Sequence, residues 1–187
     1  MSIAVAVHKG NAIVVAADTQ ENFGDRKILR AAHVASKILR VGSTYVAMTG
    51  WGLYDNILRD YLARTKRPRL GSEREVFSFF IAFWRQLHKR YSFVNDQIDE
   101  QEPSPFADLD ASFLVVNRRG IFHVSSNMSV MEFTQYYAIG SGAPYALGAL
   151  QALYPQRLDA EAIARAACAA ATSFDVYCGG ELDVHRV

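Results

Sequence analysis

The sequence has few of the features that identify several large classes of protein. Its two cysteines, Cys168 and Cys178, lie among apolar and small residues without metal-like spacing, so neither a disulfide framework nor a zinc site is indicated. Twenty basic residues stand against nineteen acidic ones, and a net charge of +1 gives no reason to expect nucleic acid or a membrane surface as partner. The five histidines are scattered, which indicates no metal or catalytic cluster.

Long apolar runs are missing as well. No stretch approaches the roughly 20 apolar residues of a membrane span, and the first residues lack the layout of a signal peptide. We therefore expect a cytoplasmic protein whose folded domain begins at the N-terminus. The 187 residues fit a single domain, 1–187, and neither a dinucleotide-binding glycine pattern nor a phosphate-cradling loop indicates a cofactor.

The first 50 residues carry strand patterns. Ile3, Val5 and Val7 alternate with small residues, and a turn at Gly10-Asn11 follows them, which is typical of a hairpin. Residues 19–33 are polar and indicate an exposed connection. Four strands are thus predicted before any helix, at 3–7, 12–17, 34–39 and 44–48.

Helical spacing of apolar residues begins at residue 52 and predicts a helix over 52–64. Ser72 with Glu75 forms a capping box before a second helix to about residue 91, whose apolar side chains go nearly all round and indicate partners on more than one face. Residues 95–110 favour a loop. The remaining pattern predicts strands at 111–117, 121–124, 129–133 and 136–139, helices after Gly142 and near Asp159, and a strand at 181–185.

This order of elements is segregated, because strands, two helices, strands and two helices follow one another without the alternation of a parallel sheet. Two antiparallel sheets placed between two helix layers would bury both faces of each sheet. The predicted fold class is therefore α+β, a four-layer αββα sandwich.

Ser2 follows Met1 directly and opens the first strand pattern. If Met1 is removed, Ser2 carries a hydroxyl and a free α-amine, so a nucleophile and a general base lie within reach of each other on one residue. A serine at this position also simply permits methionine removal. The catalytic interpretation therefore needs support from other residues.

A second candidate is the turn Gly140-Ser141-Gly142 between a predicted strand and a predicted helix. Such a turn presents a hydroxyl and backbone N–H groups at the positive end of a helix, where an anion or a developing oxyanion is stabilised. A plain tight turn is the alternative.

Four segments then occur in a fixed order: VVAAD at 14–18, SKI at 36–38, MTGWG at 48–52 and AIGSGAPYA at 138–146, with support from 175–180. Together they resemble the proteasome β-type subunits of the N-terminal nucleophile hydrolases, nearest to the bacterial HslV-like members and the proteobacterial proteasome homologues. The resemblance spans nearly the whole chain, and it implies the αββα sandwich that the element order predicts.

The resemblance also assigns residues. A gap-free count back from Asp18 places Ser2 at the family's N-terminal nucleophile, and Cys178 stands where the family has its second supporting serine. The implied catalytic residues are Ser2, Asp18, Lys37, Gly50, Ser141 and Asp175. Taken singly, the last five have ordinary alternatives as turn, strand-edge or capping residues, so the assignment depends on their joint order.

The chemistry that these residue types support is amide hydrolysis. An α-amine with an ordinary pKa of roughly 7.7 to 8.0 can take the proton of the Ser2 hydroxyl at neutral pH, directly or through a water molecule. A Lys37 ammonium, held by Asp18, would disfavour charging of the amine. The Gly50 N–H would face the oxyanion, and the remaining two residues would orient the amine or the relay water.

Two departures from the family pattern have consequences. Serine in place of threonine lacks the branching methyl that restricts χ1, so slower peptide cleavage is expected. Cys178 is a weaker hydrogen-bond donor than serine. By position, three residues would line the pocket for the side chain before the scissile bond, with core packing as the alternative: Ala35, Met48 and Gly52.

The resemblance implies a self-compartmentalising peptidase that acts on peptides or unfolded proteins. It would assemble as a homo-oligomer of stacked rings with 12 or 14 subunits, Ser2 facing an inner chamber. Because the chain has no nucleotide motif, an ATPase cap would be a separate partner. Two alternatives stay open: a ring-forming scaffold with weak or no catalysis, and a small-amide acylase that uses the same nucleophile.

Overall fold

The computed structural model describes residues 2–28, 36–66, 68–91 and 108–187. The strands in these ranges are β1 (Ala4–Lys9), β2 (Ala12–Asp18), β3 (Glu21–Phe23), β4 (Arg26–Ile28), β5 (Ile38–Val41), β6 (Thr44–Gly50), β7 (Ala111–Asn117), β8 (Gly120–Val124), β9 (Val130–Phe133), β10 (Tyr136–Ile139) and β11 (Leu182–Arg186). The helices are α1 (Gly52–Arg64), α2 (Glu73–Arg90), α3 (Ala143–Leu153) and α4 (Ala160–Phe174). No helix in the described ranges is long and apolar enough to cross a bilayer.

Most strands belong to two antiparallel sheets. One sheet has the order β10-β1-β2-β11, and the other has the order β5-β6-β7-β8-β9. In the first sheet Ala4 of β1 pairs with Ile139 of β10. The chain on the N-terminal side of Ala4 therefore runs alongside the residues that follow β10, which brings Ser2 next to the turn at Ser141.

Three apolar cores separate four layers. The first core lies between helices α1 and α2 and the five-stranded sheet, and Phe80 and Phe113 are buried in it. The second lies between the two sheets. The third lies between the four-stranded sheet and helices α3 and α4. The predicted αββα sandwich is confirmed.

Strand β1 and the residue before it show how the sequence produces buried faces on both sides of a sheet. Val5 and Val7, with Ile3, pack toward α3 and α4, whereas Ala4 and Ala6 pack into the core between the sheets. Successive side chains of a strand point to opposite faces, so this alternation of large and small residues fills both cores. The small alanines leave room for larger side chains of the opposite sheet, among them Leu114 and Val116.

Two element boundaries follow directly from local chemistry. The Ser72 hydroxyl accepts a hydrogen bond from the Glu75 N–H at 3.3 Å and caps α2, while the Glu75 carboxylate accepts from the Gly71 N–H at 2.9 Å. Asp159 caps α4 by accepting from the Ala162 N–H at 2.7 Å. Both helix starts agree with the prediction from the capping residues.

Residues 19–33 were predicted as an exposed connection, and in the described part of this stretch β3 and β4 form a short hairpin that was not predicted. Gly24 has a φ of +61°, which a glycine adopts readily in a turn. Among the described residues, six strands precede α1 where four were predicted. Strands of three mostly polar residues carry no apolar alternation, so the pattern did not reveal them. The first residues of the predicted strand 34–39 and most of the predicted loop 95–110 lie outside the described residues.

Helix α2 buries one set of its aromatic residues, Phe79, Phe80 and Phe83, in the chain's own core. Phe77 is different, since 47% of its surface is exposed. The expectation that α2 has partners on more than one face stays a prediction.

Candidate active site

Ser2 lies just before β1 and is buried, with 5% of its surface exposed. Its backbone nitrogen donates to the Ser141 hydroxyl oxygen at 3.2 Å, and its carbonyl oxygen accepts from the Gly142 N–H at 3.3 Å. A Cβ atom at position 140 would lie 2.1 Å from that same carbonyl oxygen, and Gly140 has a φ of +102°. The Gly-Ser-Gly turn is therefore fitted against the Ser2 backbone and does more than reverse the chain.

Asp18 ends β2 and is completely buried. Its Oδ1 accepts from Lys37 Nζ at 2.8 Å and from the Ile3 N–H at 3.0 Å, while its Oδ2 accepts from the Gly179 N–H at 3.0 Å. Three donors fix the orientation of this carboxylate. Because one oxygen binds both Lys37 and the residue after Ser2, Asp18 connects the lysine to the N-terminal segment.

Lys37 is buried just before β5, with 9% of its surface exposed. Besides Asp18, its ammonium donates to the Gln20 carbonyl oxygen at 2.5 Å. A lysine at an exposed strand edge would not have this environment. The charge is therefore held inside the protein by one carboxylate and one carbonyl.

Gly50 ends β6 with a φ of +123°, which L-residues with a side chain rarely adopt. A Cβ atom there would lie 2.1 Å from the Asp110 carbonyl oxygen, so any side chain would clash with backbone. The methyl group of the preceding Thr49 lies 3.0 Å from the Cβ position of Gly140. This contact places the end of β6 beside the turn that holds Ser2.

Asp175 is the C-cap of α4 and lies next to Ser141 and Cys178. Burial by itself would raise the pKa of the Asp175 carboxyl, but hydrogen bonds from the Ser141 hydroxyl, the Tyr177 N–H and the Cys178 thiol outweigh it and hold the pKa below its ordinary value. The carboxylate is therefore ionised at neutral pH, with its donors in place.

Cys178 completes this group. Its Sγ donates to Asp175 Oδ2 at 3.3 Å and lies 4.0 Å from the Ser141 hydroxyl oxygen. Burial, together with the charges of Asp18 and Asp175, raises the pKa of the thiol to about 12. Cys178 is consequently a protonated donor at neutral pH, not a thiolate nucleophile.

The three residues predicted to line a substrate pocket are placed differently from one another. Met48 is buried in the core between the five-stranded sheet and α1 and α2, which agrees with the packing alternative. Gly52 is exposed at the first position of α1. Ala35 lies outside the described residues. A cavity of about 350 Å³ lies between α1 and α2, and none of the predicted catalytic residues lines it.

Sequence reasoning assigned no individual role to two residues that shape this site. Gly140 contacts the Ser2 backbone, and Gln20 holds Lys37 through its carbonyl oxygen. The signal for Gly140 was present in the Gly-Ser-Gly turn. No sequence pattern indicated the role of Gln20, because every residue has a main-chain carbonyl.

Similar proteins support the assignment of this chain and its fold to one class. The ATP-dependent protease subunit HslV of Caldanaerobacter subterraneus subsp. tengcongensis is 30% identical over 98% of this chain and 96% of its own length. The solved structure of Thiobacillus denitrificans BPH in complex with epoxomicin is 34% identical, covers 99% of this chain and 97% of its own, and superposes with a TM-score of 0.89. HslV from Trypanosoma brucei, at 21% identity over 98% of both chains and a TM-score of 0.67, shows the same fold. No family model matches the chain.

The two-sheet sandwich between helix layers is thus the fold of the proteasome-like N-terminal nucleophile hydrolases. The chain belongs to the proteasome β-type, HslV-like family of self-compartmentalising proteases.

Proposed function

We propose that this protein is a self-compartmentalising peptidase in which Ser2 is the nucleophile once Met1 has been removed. The observation that carries the proposal is the convergence of two polar groups on the N-terminal segment. Asp18 joins the Lys37 ammonium to the Ile3 N–H, and Ser141 joins the Ser2 nitrogen to Asp175. Hydrogen bonds thus link the first two residues of the processed chain, Ser2 and Ile3, to both charged groups.

In the proposed mechanism the free α-amine of Ser2 takes the hydroxyl proton as Oγ attacks the carbonyl carbon of the scissile amide. The tetrahedral oxyanion is stabilised by the Gly50 N–H. The amine then gives its proton to the leaving nitrogen, the C–N bond breaks, and an acyl ester remains on Ser2. Water hydrolyses this ester and restores the free hydroxyl.

The charged residues supply the electrostatic setting for these proton transfers. The Lys37 ammonium disfavours a second positive charge on the α-amine, which keeps more of the amine in its basic form at neutral pH. The Ser141 hydroxyl and the Asp175 carboxylate orient the amine or a relay water. No step requires a cofactor.

The proposed assembly is a homo-oligomer of two stacked rings with 12 or 14 subunits, located in the cytoplasm and acting on peptides or unfolded proteins. Several relatives are ATP-dependent protease subunits, and this supports a separate ATPase as the partner that delivers substrate. Ser2 then faces the inner chamber, where only unfolded chains arrive.

Three measurements on purified protein test this function. We expect intact mass to show loss of Met1, native mass to show 12 or 14 subunits, and an unfolded protein such as casein to be degraded by the wild type but not by Ser2→Ala. Retention of Met1 in every preparation, or equal degradation by both proteins, would contradict the proposal. An assembled ring that does not degrade casein would favour the scaffold alternative. Hydrolysis of small amides but not of peptides would favour the acylase alternative.

A further inference from the structure

Three polar side chains at alternate positions, beginning with the last residue of β2, contact the loop that carries Asp175. Asp18 accepts from the Gly179 N–H at 3.0 Å, Gln20 donates to the Val176 carbonyl oxygen at 3.0 Å, and Asn22 donates to the Tyr177 carbonyl oxygen at 2.9 Å. Residues two apart on an extended chain project to the same side. The spacing of these residues therefore matches one edge of the loop.

Gln20 is the central member of this set. It is buried, with 6% of its surface exposed, and its side-chain amide also donates to the Asn22 side-chain oxygen at 2.9 Å. Its own N–H donates to the Gly179 carbonyl oxygen at 2.9 Å, while its carbonyl oxygen accepts from Lys37. One residue thus touches both the lysine and the Asp175 loop.

The loop is shaped to receive this side chain. A Cβ atom at Gly179 would lie 2.4 Å from the Gln20 side-chain oxygen. Gly179 does not have a positive φ, so its backbone conformation does not require a glycine. The position requires a glycine because a side chain would occupy the space of the Gln20 amide. The glycine leaves the room that the Gln20 amide occupies.

We propose that Gln20 and Asn22 form a clasp, called here the Gln20–Asn22 clasp, that positions Asp175 relative to the Lys37 side of the site. Both are positioning residues, since they act through the Asp175 loop and not on the substrate. The inference rests on the proposed function, because it assigns the clasp to the same reaction.

Asp175 lies in a half-exposed loop, and Ser141 links it to the Ser2 backbone nitrogen. A displacement of about 1 Å near a reacting group can lower a rate on the order of 100-fold, so the contacts that fix this loop affect the reaction. The clasp restricts the loop at Val176 and Tyr177, the two residues that follow Asp175.

The test measures covalent modification of the full assembled protein by epoxomicin, followed as adduct mass over time at several inhibitor concentrations. This separates the inactivation rate constant kinact from the initial binding constant Ki. The variants are Gln20→Glu, which keeps size but removes the amide donor, and Gly179→Ala, which displaces the Gln20 amide without changing Gln20. Asn22→Ala removes the second half of the clasp.

Asn117→Ala is the matched control, because the buried Asn117 amide donates to the Leu70 carbonyl oxygen at 2.7 Å in another part of the chain. We expect kinact to fall on the order of tenfold in Gln20→Glu and Gly179→Ala, and less in Asn22→Ala, with Ki within about twofold of the wild type. Asn117→Ala lowers the unfolding midpoint but leaves kinact unchanged per folded subunit.

Two results would overturn the inference, and they can be told apart. If the wild type is modified but the clasp variants keep its kinact, the clasp has no positioning role while the proposed function stands. If the wild type is not modified at all, the proposed function fails, and the clasp proposal fails with it.

Discussion

The two halves of the site differ in how firmly they are built. The inner half, Asp18 with Lys37, is buried, and the carboxylate receives three donors within 3.0 Å. The outer half contains an exposed Ser141, a half-exposed Asp175 and a thiol contact of 4.0 Å. Both halves connect to the N-terminal segment, but Ser141 and Asp175 of the outer half reach the surface, and only its Cys178 is buried in a core.

This difference predicts which substitutions affect stability and which affect mainly the catalytic rate. Removing one partner of a buried ion pair leaves an uncompensated charge, so a change in the inner half affects both stability and rate. Ser141 and Asp175 of the outer half are accessible to water, which replaces lost hydrogen bonds at low cost. Changes there are expected to affect mainly the rate.

The largest expected effect is that of Lys37→Ala. It leaves the Asp18 carboxylate buried without its cation, so we expect the free energy of unfolding to fall by about 3–5 kcal/mol and epoxomicin modification of Ser2 to disappear. Urea unfolding and intact mass measure the two quantities. The double variant Asp18→Asn with Lys37→Met should recover part of the stability without any modification, and recovery of both would contradict an electrostatic role for Lys37.

Gly50→Ala should come next. Its backbone conformation and the contact with the Asp110 carbonyl oxygen force the end of β6 to move, which would displace the proposed oxyanion donor and lower the peptidase rate about 100- to 1000-fold. Gly42→Ala is the control, since Gly42 has a φ of +64° in a turn of the same sheet with nothing within 4 Å of a Cβ. A rate loss of the same size in the control would point to backbone strain alone.

Asp175→Asn tests the outer half. We expect a rate loss of about 10- to 100-fold with a small change in stability. The pKa of Asp175 is lower in the folded protein than in the unfolded chain, so its ionised form stabilises the fold above its ordinary pKa, and this contribution is lost as the pH falls through the folded value. The urea midpoints of wild type and variant should therefore converge at acidic pH. Midpoints that diverge there would contradict a lowered pKa of Asp175 in the folded protein.

The smallest effect is expected for Cys178→Ser. A hydroxyl is a stronger donor than a thiol but reaches less far, so the rate should rise by about threefold at most, while Cys178→Ala should lower it by up to about tenfold. Steady-state cleavage of a fluorogenic peptide measures both. Equal rates in all three proteins would remove Cys178 from the relay.

The sequence predicted elements with strong periodicity well, and the resemblance placed two residues of opposite charge together. Helix α1 was predicted over its observed residues because its apolar spacing is regular. Asp18 and Lys37, 19 positions apart, were placed together through the resemblance, and the structure joins them by an ion pair of 2.8 Å.

What escaped prediction depends on contacts that leave no local pattern. The hairpin of β3 and β4 is polar and short, and the sequence could not decide between a pocket and the core for Met48, which lies in the core. Gln20 and Asn22 act on main-chain oxygens of a loop more than 150 residues away. Such pairings depend on how the layers stack, which neither periodicity nor composition encodes.

The central claim is that Ser2, with its amine free, is the nucleophile. The most direct measurement is the intact mass and peptide map of the assembled wild-type protein after incubation with epoxomicin, with Ser2→Ala alongside. Our account predicts a chain without Met1 that carries one adduct, located on Ser2 and absent from the variant. A chain that keeps Met1, or an adduct that persists in Ser2→Ala, would contradict it.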